Sequence, residues 1–189
     1  MDNYLHIKTI LGKLHHFTDE HIDLFYSMLS VKQLKKNTTL LKPGQVCNFI
    51  SIVLKGSLRI YHINNEKEHI LSFFTEESWA ADHNSFVSQK PSVNTIQTME
   101  PTEVAIISIQ NLHKLIETDQ QFMILGRILK DLTIPQQLSV HHTSPQGRYD
   151  DLMLQHPEWI IRFPQKHLAS YLGITPETFS RVKRKHLFS

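Results

Sequence analysis

The stretch QKHLASYLGITPETFSRVKR, residues 165–184, admits few folds, because its residues meet in turn the demands of two short helices crossing at a steep angle. Ala169 is small enough for close helix approach. Gly173 can take the positive φ that ends the first helix and starts a tight turn. Leu168, Leu172, Ile174, Phe179 and Val182 fall where the two helices face each other and the rest of a domain. Thr175 suits the N-cap of the second helix, Pro176 its first turn and Glu177 its positive N-terminal end. The spacing predicts a helix-turn-helix.

With Phe179 and Val182 turned inward, Glu177, Ser180, Arg181 and Arg184 share the outer face of the second helix at three- and four-residue spacing. Such a helix fits the DNA major groove. Arg181 matches O6 and N7 of guanine, and Glu177 can accept from N4 of cytosine. Lys183, Arg184 and Lys185 add charge that attracts phosphates. The competing reading of Glu177 and Arg181 is a solvated i,i+4 ion pair worth a few tenths of a kcal/mol.

At 189 residues the chain is too long for this motif alone and allows one or two domains with ample core. A formal charge of +2 excludes a histone-like polycation. That charge is unevenly placed. From residue 143 onward seven basic residues (Arg148, Arg162, Lys166, Arg181, Lys183, Arg184, Lys185) face four acidic ones (Asp150, Asp151, Glu158, Glu177). Cys47 is the single cysteine, which rules out an internal disulfide and points to a reducing compartment. The opening residues lack the apolar core of a signal peptide, and no 18-residue apolar run occurs, so a cytoplasmic location away from membranes is expected.

Residues 3–14 and 18–29 carry helical spacing, the second opening on Thr18. From about residue 31 to 108, short β-branched and aromatic runs alternate with turns at Lys42–Gln45, Lys55-Gly56, Asn64-Asn65 and Glu100-Pro101, as in a small antiparallel barrel or sandwich. Residues 111–117 read as a short helix and 119–132 as the start of a longer one. Its Leu125, Ile128 and Leu132 suit either the core or a seam with a second copy. Pro135 should kink or end that helix. Ser144-Pro145-Gln146-Gly147 reads as a hinge, with residues 148–155 forming the first helix of a terminal domain. The expected organisation is a β-domain with N-terminal helices over 1–117, a linking helix over 118–142 and a helix-turn-helix domain over 143–189.

This order, together with particular motifs, resembles the Crp/Fnr family of bacterial transcription regulators over essentially the whole length. The motifs are PGQ at Pro43–Gln45, LKGSLRIY at 54–61, the region 77–96, GRYDDL at 147–152 and ITPETFSR at 174–181, the last being the most specific. The resemblance implies an α+β fold: an eight-stranded antiparallel β-roll of the cyclic-nucleotide-binding kind, flanked by helices, a long dimerising helix and a C-terminal helix-turn-helix. It places Glu177, Ser180 and Arg181 on bases, and Gln165, Lys166, Thr175, Thr178 and Arg184 on the DNA backbone. A homodimer would read a palindromic operator with half-sites roughly 34 Å apart. RNA polymerase and a small-molecule effector are further partners that the resemblance leaves open.

Departures from the family bear on mechanism. Relatives that bind cyclic AMP carry a Gly-Glu pair opening a short helix, and later an Arg-Ser pair facing the cyclic phosphate. This chain has Ala81-Asp82 and Ser92-Val93 there. A buried phosphate would lack its fixed, forked cation, for which the nearby Lys90 is no equivalent. Cyclic-AMP response is therefore not expected. Asp82, His83, Ser92 and Val93 either line a pocket for another effector or serve as cap and loop residues around a filled one. The short segment 156–163 leaves room for only a stunted wing.

Two rival classes are weaker. Thirteen histidines invite a metal or enzyme reading, but they are scattered, and the adjacent pairs His15-His16 and His141-His142 cannot share one metal from a regular element. One cysteine cannot hold an iron–sulfur cluster, and no hydrolase, P-loop or metalloprotease motif occurs, so neither enzyme, cofactor nor metal is expected. The other rival is a β-roll sensor acting through protein partners without DNA. Steep weakening of DNA binding with salt, and its loss on Arg181→Ala, would separate the two.

Overall fold

The computed structural model describes residues 3–131 and 144–187. Two helices open it, α1 (Asn3–Gly12) and α2 (Asp19–Ser27). The start of α2 is fixed by a capping box in which Thr18 Oγ1 accepts the His21 N–H while the Thr18 N–H donates to His21 Nδ1. His21 thus does at N3 what Glu or Gln usually does. Its other ring nitrogen lies 2.9 Å from Asp119 Oδ2, so one imidazole ties this cap to a distant turn.

Eight strands follow: β1 (Ser30–Leu34), β2 (Thr39–Leu41), β3 (Phe49–Lys55), β4 (Leu58–Asn64), β5 (Lys67–Phe74), β6 (Trp79–Ala80), β7 (Thr95–Thr98) and β8 (Thr102–Ser108). They form two four-stranded sheets, ordered β1-β8-β3-β6 and β2-β7-β4-β5. The pairs β1–β8, β3–β8, β3–β6 and β2–β7 are all antiparallel. Each sheet mixes early and late strands, which is how a β-roll closes. Strand β3 is buried without a break from Ile50 to Leu54, as expected where both faces are covered. Gly56 makes the turn into β4 at φ +88°; a Cβ there would sit 2.7 Å from the Pro101 carbonyl oxygen. The α+β roll expected from the sequence is present.

Helix α3 (His83–Ser88) interrupts the strands, and α4 (Ile109–Thr118) follows them with Ser108 as its N-cap. The longer helix expected from residue 119 differs. Asp119 Oδ1 accepts the Gln121 N–H at 2.8 Å and opens a 3-10 helix, Gln120–Leu125, which passes at Gly126 into α5 (Gly126–Asp131). Phe122 is buried and stacks on Phe17 at 5.6 Å. Leu125 and Ile128 are only 3% and 1% exposed within the single chain. Within the single chain they complete this core, one of the two placements expected of them. Leu132 and Pro135 lie outside the described residues.

By compactness the described chain forms two units, residues 3–60 with 73–131 and residues 61–72 with 144–187. The second unit holds α6 (Pro145–Gln155), α7 (Pro157–Arg162), α8 (Gln165–Tyr171) and α9 (Pro176–Leu187) together with the β4–β5 hairpin tip. The expected hinge at 144–147 is instead the start of α6: Ser144 Oγ accepts the Gly147 N–H at 3.1 Å and Pro145 fills the first turn. The stunted wing expected in 156–163 is a helix as well. Pro157 starts α7, and Trp159 is buried against His156, Phe163 and Tyr171.

Candidate nucleic-acid interface

Helices α8 and α9 are joined by a turn that the backbone fixes. Leu172 is the C-cap, Gly173 follows at φ +63°, its N–H donates to the Ser170 carbonyl, and the Ile174 N–H reaches back to Ala169. That pair of bonds is the Schellman motif. Arg148 of α6 adds a hydrogen bond from Nη1 to the Leu172 carbonyl at 2.7 Å. Thr175 then caps α9, with its hydroxyl oxygen accepting the Thr178 N–H.

Packing sets the rotation of α9. Phe179 and Val182 are buried, and Tyr149 of α6, itself buried, meets Phe179 edge-on at 5.5 Å and His186 at 5.5 Å. Asp150 adds a contact to His186 Nδ1 at 3.1 Å. Glu177, Ser180, Arg181 and Arg184 are all exposed, as are Gln165, Lys166 and Thr175; Thr178 is half-buried. All eight residues assigned to DNA by resemblance therefore lie on α8, α9 or the turn between them. Ser180 Oγ donates to the Pro176 carbonyl at 3.0 Å and approaches Gln165 Oε1 at 3.5 Å, which puts those two side chains side by side across the helices.

The electrostatics of this face differ from a simple ion pair. The Glu177 carboxyl is held below the usual range by its own backbone N–H and then by the Thr175 hydroxyl, so it is ionised and turned toward the helix start. Among the described residues Arg181 has no hydrogen-bond or ion-pair partner, and the i,i+4 pair with Glu177 is not made. Arg181 extends from the face with its five donors available.

The four effector-pocket candidates separate. Asp82 and Ser92 are buried together: the Asp82 carboxylate accepts from Ser92 Oγ at 2.5 Å, Asn94 Nδ2 at 2.9 Å and the Ser85 N–H at 3.2 Å, so Asp82 also caps α3. Val93 points away, 73% exposed, and His83 is only half-buried and, among the described residues, reaches Asn84 alone. Ser85 extends the network, accepting from the Cys47 N–H and donating to the Lys90 carbonyl. Cys47 is buried, and that burial pushes its thiol pKa up. Asn94, Ser85, Arg148 and Ser170 were not legible as site residues, since a polar side chain facing inward carries no signature of its own. Among the described residues no three His, Cys, Asp or Glu gather as a metal site, and no helix is long and apolar enough to cross a membrane.

Residues 31–119 match the family model of the cyclic nucleotide-binding domain. The roll has that fold. Solved structures agree along more of the chain. A CooA mutant from Carboxydothermus hydrogenoformans is 19% identical with a TM-score of 0.65, covering 93% of this chain and 83% of that one. The c-di-GMP responsive global regulator CLP of Xanthomonas campestris is 18% identical with a TM-score of 0.62, covering 90% and 92%. A transcriptional regulator assigned to the Crp/Fnr family from Eubacterium rectale is 18% identical with a TM-score of 0.59, covering 91% and 84%. Among curated proteins, none matches the sequence.

Proposed function

We propose that this chain is a sequence-specific, DNA-binding transcription regulator of the Crp/Fnr type that acts as a homodimer and does not answer to cyclic AMP. One observation carries the reading: α9 buries Phe179 and Val182 while Glu177, Ser180 and Arg181 stay exposed along its first half. In a helix-turn-helix that half meets base edges. The regulators among the similar structures support it as analogy. The Asp82 network supports the independence from cyclic AMP, because a phosphate beside Ser92 would meet a carboxylate rather than a cation.

The test is selection of binding sites from random DNA, followed by fluorescence anisotropy on the selected duplex over a salt series. Affinity should fall steeply with salt and be unchanged by cyclic AMP. Arg181→Ala should cost roughly 5- to 100-fold per half-site and relax the sequence preference at one base pair. Flat salt dependence, or an Arg181→Ala protein that selects the same sites equally well, would leave the sensor acting through protein partners as the better account.

A further inference from the structure

Among the described strands β5 lies at the edge of its sheet. At Glu68 and Ile70 that edge is met by one side chain from α8. Ser170 Oγ of α8 donates to the Glu68 carbonyl at 2.7 Å and accepts from the Ile70 N–H at 3.0 Å. A carbonyl and an N–H two residues apart on one edge are what a neighbouring strand would take, and a hydroxyl can serve both because it donates and accepts. Ser170 stands in for a strand residue.

The same hairpin shares a cleft with the motif: Glu66, Lys67, Glu68 and His69 line a space of about 710 Å³ together with Lys166, Thr175 and Pro176. Glu68 Oε2 is 4.0 Å from His167 Nε2. The hairpin turns through Asn65 and Glu66 at φ 49° and 61°, both left-handed, as a two-residue turn of this hand requires. Asparagine tolerates that backbone, whereas glutamate is strained in it, and glycine would relieve the strain. A carboxylate is held at the tip against the local preference.

We infer that the β4–β5 hairpin is a built-in autoinhibitory clasp: Ser170 fastens α8 to β5, and Glu66 and Glu68 set negative charge beside the Lys166 and Thr175 positions that DNA phosphates would use. The inference rests on the DNA-binding reading and names how that surface is restrained. DNA binding at Lys166 and Thr175 then competes with the clasp, and whatever frees the hairpin raises operator affinity. The coupling equals the free energy of releasing two hydrogen bonds and two nearby carboxylates.

Two readouts on the full chain separate this inference from the reading beneath it. In amide hydrogen exchange, Ile70 should be protected in the wild type, exchange at least several-fold faster in Ser170→Ala, and regain protection in Ser170→Thr, which keeps the hydroxyl. In anisotropy on a selected duplex, Ser170→Ala should bind roughly three- to tenfold more tightly than wild type, and Ser170→Thr like wild type. Glu66→Gln with Glu68→Gln should also tighten binding, most at low salt. An unchanged Ile70 exchange rate in Ser170→Ala overturns the clasp, whatever the DNA result. Faster exchange with unchanged or weaker DNA affinity overturns its inhibitory role. If exchange responds but no protein, wild type included, binds any duplex, the DNA reading fails and the inhibitory role falls with it, while the clasp itself stands.

Discussion

Replacing Gly173 by alanine tests whether the turn between α8 and α9 depends on a left-handed backbone that glycine supplies. Gly173 sits at φ +63°, where a residue with a Cβ is strained by roughly 1–2 kcal/mol. Alanine also restricts the unfolded chain, which offsets about 0.4–1 kcal/mol of that. The added Cβ would meet only Arg148 Nη1, at 3.4 Å, the end of a flexible side chain. Yet that nitrogen holds the Leu172 carbonyl at 2.7 Å, so moving it risks about 1 kcal/mol more. The net expectation is a loss of roughly 1–2 kcal/mol, or about 4–8 °C in melting temperature per kcal/mol for a unit of this size. Urea unfolding followed by Trp159 emission, in a Trp79→Phe background, reads it directly, since the chain has two tryptophans. Gly173→Asn is the control, because asparagine tolerates the left-handed backbone and should lose clearly less. Alanine as stable as glycine, or asparagine no better than alanine, would refute the account of the turn.

Two further outcomes follow from the buried groups. Asp82→Ala strands three donors, the Ser85 N–H, Ser92 Oγ and Asn94 Nδ2, and should destabilise the roll by about 3 kcal/mol in urea unfolding followed by Trp79; a loss below about 1 kcal/mol would mean the network is dispensable. The His62 and His69 rings stack at 5.2 Å, and burial first, then the charge of His69, lowers the His62 pKa below its ordinary 6.5. The folded chain therefore binds that proton less readily than the unfolded one, so stability is full above about pH 6.5 and declines as the pH falls below it. His62→Gln should flatten that decline in thermal melts taken from pH 8 to pH 5; an identical slope would assign it to other groups.

Helices α8 and α9 and the turn between them were legible because local chemistry dictates them: one glycine, one cap and a 3.6-residue apolar spacing act within twenty or so residues. The roll was legible as a class from its turns, but its sheet order was not, since pairing β3 with β8 depends on contacts far apart in sequence. The helix expected from residue 119 failed for a specific reason. Asp119 caps a new 3-10 turn, and Leu125 and Ile128, whose spacing fits a seam as well as a core, were taken by the core. The hinge at 144–147 misled because Ser-Pro marks a helix start as readily as a break. Of the effector candidates, Asp82 and Ser92 were placed together by resemblance, yet nothing in the sequence tells a filled pocket from an open one. Ser170 had no signal at all: its partner is a strand edge about a hundred residues earlier.

Tyr149 is wedged between Phe179 and His186, while Arg148, its neighbour on α6, grips the end of α8. Helix α6 is thereby keyed to both members of the motif at consecutive residues. Two neighbouring side chains thus do the work of a bracket, one on each member, so that a change at either would disturb the helix it holds and leave the other in place.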